Sequence, residues 1–189
     1  MKKETIFIFP GNNGRSRRDY WYFELKNKLI NAGYNTTICS ANELNLEKRA
    51  GFIKSKYGLA DVVIGHSLGA VTALKFTEKN KISKLILVDP SVKEVFEALI
   101  TVKKKHRRES NILSAWNWDI NYISVKKNSV EIKLIHDIKM EKRISSIIKD
   151  YHNDYAKKLG IKIINIESNL EHFTSIKEDN LFNKILNII

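Results

Sequence analysis

Gly65-His66-Ser67-Leu68-Gly69 is the segment of this sequence best suited to chemistry. It follows a short apolar run beginning at Asp61 and leads into an amphipathic stretch, so it reads as a strand-to-helix turn. In that context Gly-x-Ser-x-Gly is a nucleophile elbow. Its glycines leave space where strand and helix crowd together, and the serine is lifted above the sheet at the positive end of the helix. Other chemistries lack their residues. No His-Glu-x-x-His is present and the five histidines are scattered along the chain, so no metal site is expected. No Walker-type phosphate loop occurs, and Gly11 to Gly14 lacks the third glycine and the acidic partner of a dinucleotide loop. No cofactor is expected. The single cysteine, Cys39, cannot form an internal disulfide.

The elements that must position Ser67 alternate along the chain. Thr5 to Phe9, Tyr34 to Ser40, Asp61 to Gly65, Lys84 to Val88, Val130 to His136 and Ile161 to Ile166 read as strands. Tyr20 to Ala32, Asn42 to Tyr57, Leu68 to Glu78, Glu141 to Leu159 and Ser175 to Ile189 read as helices. Strands separated by helices of this length imply right-handed crossovers, hence an α/β fold with about six mainly parallel strands and helices on both faces. Ligands in such sheets bind beyond the carboxyl ends of the strands. Residues 1–189 read as a single domain, with a small cap or insertion at about 91–129. Val92 to Lys105 looks helical within it, followed by Trp116, Trp118 and Tyr122. These aromatics either line a pocket or pack the cap onto the domain.

Ile6 to Gly14, the elbow and Lys84 to Pro90 together resemble the α/β-hydrolase family over nearly the whole chain. The resemblance implies that Ser67 attacks the acyl carbon while the backbone N–H groups of Leu68 and Asn12 form the oxyanion hole. It also implies a base late in the chain. Of His66, His106, His136, His152 and His172, only His172 follows the last strand by a short loop. The ring of His66 is expected to pack beside Ser67, and the other three histidines to be structural or solvated. The family's acid usually follows the penultimate strand, and the position where it would fall is Met140. Asp137 at the strand end ranks first instead, then Glu141, then Asp89 at the end of the preceding strand. A triad without its acid loses orders of magnitude in rate, because the imidazole is no longer held in tautomer and orientation.

Of the 189 residues, 43% are hydrophobic and 29% charged, which fits a folded globular chain. The apolar run near the N-terminus is too short for a secretory core, and no stretch approaches a membrane span. Cytoplasmic location and no membrane span are the expectations. The net charge of +12 is spread along the chain, Lys103 to Arg108 being the one dense run. That run reads as a solvated helix face, so no nucleic-acid partner is expected. The leading expectation is a serine hydrolase acting on a small-molecule acyl substrate, a carboxylic ester or thioester, through an acyl-serine intermediate. An acyltransferase would use the same residues, and a non-catalytic relative would bind a small molecule or protein in the same place. Oligomeric state is left open.

Overall fold

The computed structural model describes residues 3–11, 21–41, 45–91, 93, 97, 118–139, 146–173, 175 and 177–189. Six strands, β1 (Thr5–Phe9), β2 (Asn35–Ile38), β3 (Val62–His66), β4 (Ile82–Val88), β5 (Ser129–Asp137) and β6 (Ile163–Ile166), form one sheet in the order β2-β1-β3-β4-β5-β6. Every pairing is parallel. The helices are α1 (Tyr22–Asn31), α2 (Leu46–Tyr57), α3 (Leu68–Lys79), α4 (Tyr122–Asn128), α5 (Ser146–Leu159) and α6 (Asp179–Ile188).

Alternate residues of the central strands feed two cores, as the two-residue side-chain period of a strand requires. Ile6, Ile8, Ile64, Ile86, Val88 and Ile135 pack against Leu25 and Leu29 of α1 and Phe182 and Ile185 of α6. Phe7, Phe9, Val63, Leu85, Leu87 and Leu134 pack against α2, α3, α4 and α5 on the other face. With both faces covered, the central strands are almost continuously apolar. Among the described residues no helix is long and apolar enough to cross a membrane.

The chain leaves β1 for β2 on one side and returns to place β3 on the other. The carboxyl ends of β1 and β3 therefore mark the switch point, the place where doubly wound sheets bind ligands. The six expected strands and the five expected helices outside residues 91–129 are present, with shifted bounds. α2 begins where Asn45 Oδ1 accepts the N–H of Lys48 at 3.0 Å, an N-cap that competes with earlier starts. α6 begins only at Asp179, because the Glu178 carboxylate accepts the N–H of Ser175 in a loop. α4 was not anticipated: seven residues with Val125 as their one buried side chain carry too little periodicity to read. The helix expected over Val92 to Lys105 lies, apart from positions 93 and 97, outside the described residues, as does Trp116.

Candidate active site

Ser67 sits between β3 and α3 with φ 53° and ψ −122°, a conformation side chains rarely adopt. Its N–H donates to Val88 O of β4 at 3.0 Å, and its carbonyl accepts from Ala70 and Ser91. The turn is tight enough to exclude side chains on either flank. A Cβ at Gly69 would lie 2.0 Å from Phe9 O, and one at Gly65 would lie 2.6 Å from Ala70 Cα. Leu68 is the first residue of α3, so its N–H has no acceptor within the helix. Ser67 Oγ meets Ser91 Oγ at 3.0 Å. Trp118 packs beside Leu68 and Val71, so one of the three aromatics expected in the cap lies next to the elbow.

His172 follows β6 on a one-turn loop, Glu171–Phe173, with φ 59°. Its Nδ1 bonds Asp89 Oδ2. Asp89 ends β4, is 1% exposed and has φ 46°. Burial alone would raise its carboxyl, but His172, His136 and His152 together hold it below the usual carboxylate range. Asp137, placed first, does not meet the imidazole. Its carboxylate accepts the backbone N–H of His172 at 2.7 Å, Ser168 N–H at 3.1 Å, Ser168 Oγ–H at 2.6 Å and Lys139 N–H at 3.0 Å. Asp137 holds the main chain of the His172 loop, and Asp89 holds the ring. Glu178 grips the same loop from the other end, accepting from Asn169 and Leu170 as well as Ser175.

His66 packs beside the elbow, its ring 4.8 Å from that of His172 between centroids. Its hydrogen bonds define its tautomer. Nε2 lies 2.9 Å from the carbonyl oxygen of His172, which only accepts, so Nε2 carries the proton. Nδ1 then accepts from Tyr22 Oη at 2.6 Å, and Tyr22 Oη accepts the N–H of Gly11 at 2.9 Å. One oriented chain thus ties the loop after β1 to the His172 loop. It also commits the Gly11 N–H, leaving any oxyanion donor in that loop to a later residue. Asn12, the expected donor, lies outside the described residues, as does Glu141.

Full burial, helped by the neighbouring His172, lowers His66 from 6.5 to about 3, and burial lowers His152 as well. Between those values the unfolded chain binds protons that the folded chain does not, so stability rises with pH there. Each such histidine adds a slope of up to about 1.4 kcal/mol per pH unit. Asp89 does not intrude, since its stabilising effect is lost only as pH falls below the unfolded value of 3.8. Urea midpoints are expected to drop steadily from pH 7 to pH 4.5. His66→Gln, which keeps a donor for His172 O, gives a shallower slope over the same range; an unchanged slope contradicts this account.

Histidines that are scattered in sequence converge in space. His136 and His152 meet Asp89, and one donor atom from each of the three residues lies within 4.8 Å of the others. By residue type this trio could ligate a cation. It is also fully connected by hydrogen bonds: His152 Nε2 to Pro90 O at 2.8 Å, His152 Nδ1 to His136 Nδ1 at 2.8 Å, and His136 Nδ1 to Asp89 Oδ1 at 3.2 Å. Sequence reading missed these partners of Asp89, along with Ser91 and Tyr22. A polar pair at the ends of adjacent strands is the one local signal that pointed there.

No family model matches the sequence, and no curated protein matches it. Solved structures do match. The ydeN gene product from B. subtilis superposes with a TM-score of 0.71 at 16% identity, over 98% of each chain. MenH from S. aureus gives 0.64 at 13% identity, over 99% of this chain and 94% of that one. MGS-MChE2, described as an α/β hydrolase enzyme from a lagoon-sediment metagenome, gives 0.61 at 16% identity, over 99% and 90%. Together with the parallel order β2-β1-β3-β4-β5-β6 and the elbow after β3, these likenesses show that the chain has the α/β-hydrolase fold.

Proposed function

We propose that this protein is a serine hydrolase that cleaves a small carboxylic ester or thioester through an acyl-Ser67 intermediate. His172 serves as base and Asp89 as the carboxylate that orients it. One observation carries the reading. Among the described residues four non-glycine positions have positive φ, and three of them are Ser67, Asp89 and His172. Strain of this kind costs on the order of 1–3 kcal/mol per residue and persists where the surrounding structure forces a functional geometry. The bond between His172 Nδ1 and Asp89 supports the same reading, because it leaves Nε2 as the nitrogen available to take a proton.

In this reading Ser67 Oγ exchanges its Ser91 partner for His172 Nε2 and attacks the acyl carbon. The proton passes to Nε2, and the developing oxyanion meets the N–H of Leu68 at the positive end of α3, with Asn12 as second donor. Collapse expels the alcohol or thiol, which takes the proton from His172. Water activated by the same nitrogen then frees the acid. Covalent capture by a fluorophosphonate, which reacts with activated serines, tests the proposal, with Ser67→Ala as the control.

A further inference from the structure

Asp89 is held by more than His172. Its Oδ1 faces His136 Nδ1 at 3.2 Å and the N–H of Asp137 at 3.4 Å. His136 and His152 are each 1% exposed, one at the end of β5 and the other within α5. The proton positions follow from the partners. Pro90 O can only accept, so His152 Nε2 carries a hydrogen. The Asp89 carboxylate only accepts, so His136 Nδ1 carries a hydrogen as well, and two N–H groups cannot face each other at 2.8 Å, which leaves His152 Nδ1 with a lone pair. The hydrogen between the two Nδ1 atoms then belongs to His136, whose N–H is shared between His152 Nδ1 and Asp89 Oδ1. The pair thereby grips the Asp89–Pro90 segment twice, through the carboxylate and through the carbonyl.

We propose that His136 and His152 form a hydrogen-bonded pair that positions Asp89 against His172, His136 by donating to the carboxylate and His152 by accepting from His136 Nδ1 and anchoring to Pro90 O. The inference rests on the serine-hydrolase reading above and deepens it. A Lys or Arg in place of His136 would also hold the carboxylate, but it would cancel the negative charge that stabilises imidazolium. An imidazole N–H shared with His152 orients Asp89 without requiring a fixed positive charge, so the carboxylate's charge is left to His172. The arrangement also couples α5 to the reacting centre.

The test uses the full chain, p-nitrophenyl acetate as substrate and a fluorophosphonate as covalent probe. His136→Leu removes the donor at similar volume, whereas His136→Asn places an amide N–H close to where Nδ1 stood. His136→Leu is expected to lower kcat and the labelling rate by about tenfold to a hundredfold, with KM within about twofold, as for a misplaced catalytic group. His136→Asn recovers most of that loss although both variants melt at similar temperatures. Long-range ¹H–¹⁵N spectra of the wild type at pH 7 are expected to show His152 neutral with its proton on Nε2, and His136 with its proton on Nδ1. Wild-type rates in His136→Leu, a loss that His136→Asn fails to restore, or a cationic His152 at pH 7 overturns the proposal. So does activity that chelator abolishes and zinc restores, which would give the trio to a metal. A folded wild type that neither labels nor hydrolyses overturns the serine-hydrolase reading itself, and this inference with it.

Discussion

Asp89→Asn is expected to lower kcat on an ester such as p-nitrophenyl acetate by about 10⁴-fold, the size of effect seen when a triad carboxylate becomes an amide. The amide nitrogen would donate to His172 Nδ1, forcing the ring proton onto Nε2, where it blocks acceptance from Ser67. Asp137→Asn should behave differently. It disturbs a carboxylate that accepts four hydrogen bonds from the His172 loop and its surroundings. Replacing one oxygen by an NH₂ leaves buried N–H donors unpaired, at a cost of about 2–4 kcal/mol in stability. Its activity loss follows from the loosened loop and is expected to stay within about a hundredfold. Steady-state rates of folded protein separate the roles: Asp89→Asn is nearly dead, while Asp137→Asn melts low and retains activity. The reverse pattern would return the acid to Asp137.

Gly69→Ala carries the second large effect, on folding. The added methyl would sit 2.0 Å from Phe9 O and 2.6 Å from Pro10 O. These are main-chain atoms of β1 and the loop beyond it, so no side-chain rotation relieves the contact. Either α3 must lift away from the sheet or β1 must slide against β3, and both break the elbow. Overpacking costs about 1–3 kcal/mol and more where backbone must move; here a loss of at least about 3 kcal/mol is expected. For a domain of this size that lowers Tm by roughly 10 °C, and labelling of Ser67 disappears with it. Gly51→Ala is the matched control. Gly51 is exposed in α2 and nothing lies within 4 Å of its added Cβ, so that change should stabilise by about 0.5–1 kcal/mol. Equal melting temperatures for the two variants would contradict the crowding argument.

The sequence carried the sheet well because its signal is local. Val62 to His66 and Lys84 to Val88 are short apolar runs, and each is followed by residues that break the pattern. The elbow was legible for the same reason, its two glycines and serine lying within five consecutive residues. The contact between Asp89 and His172 was not, and register explains why. β4 and β5 are neighbours with Val88 opposite Ile135, so Asp89 falls beside His136 while Asp137 extends one residue further. Two aspartates at two strand ends look alike until that offset is known, and nothing in either segment states it. The pairing of His136 with His152 spans 16 residues and the bond from His66 to His172 O spans 106. Their chemistry depends on which helix covers which strand, and no spacing rule reaches that far. The left-handed backbone at Asp89 runs against local preference too, since a residue before proline favours extended conformations.

The central claim is that Ser67 is an activated nucleophile, and covalent labelling tests it most directly. Folded wild-type protein is incubated with a fluorophosphonate, its intact mass is measured, and the adduct is located by peptide mapping. One phosphonyl group per chain on the peptide containing Ser67 is expected, with none on Ser67→Ala and labelling at least about 10³-fold slower for His172→Ala. Folded wild-type protein that stays unmodified, or an adduct on a peptide without Ser67, contradicts the account.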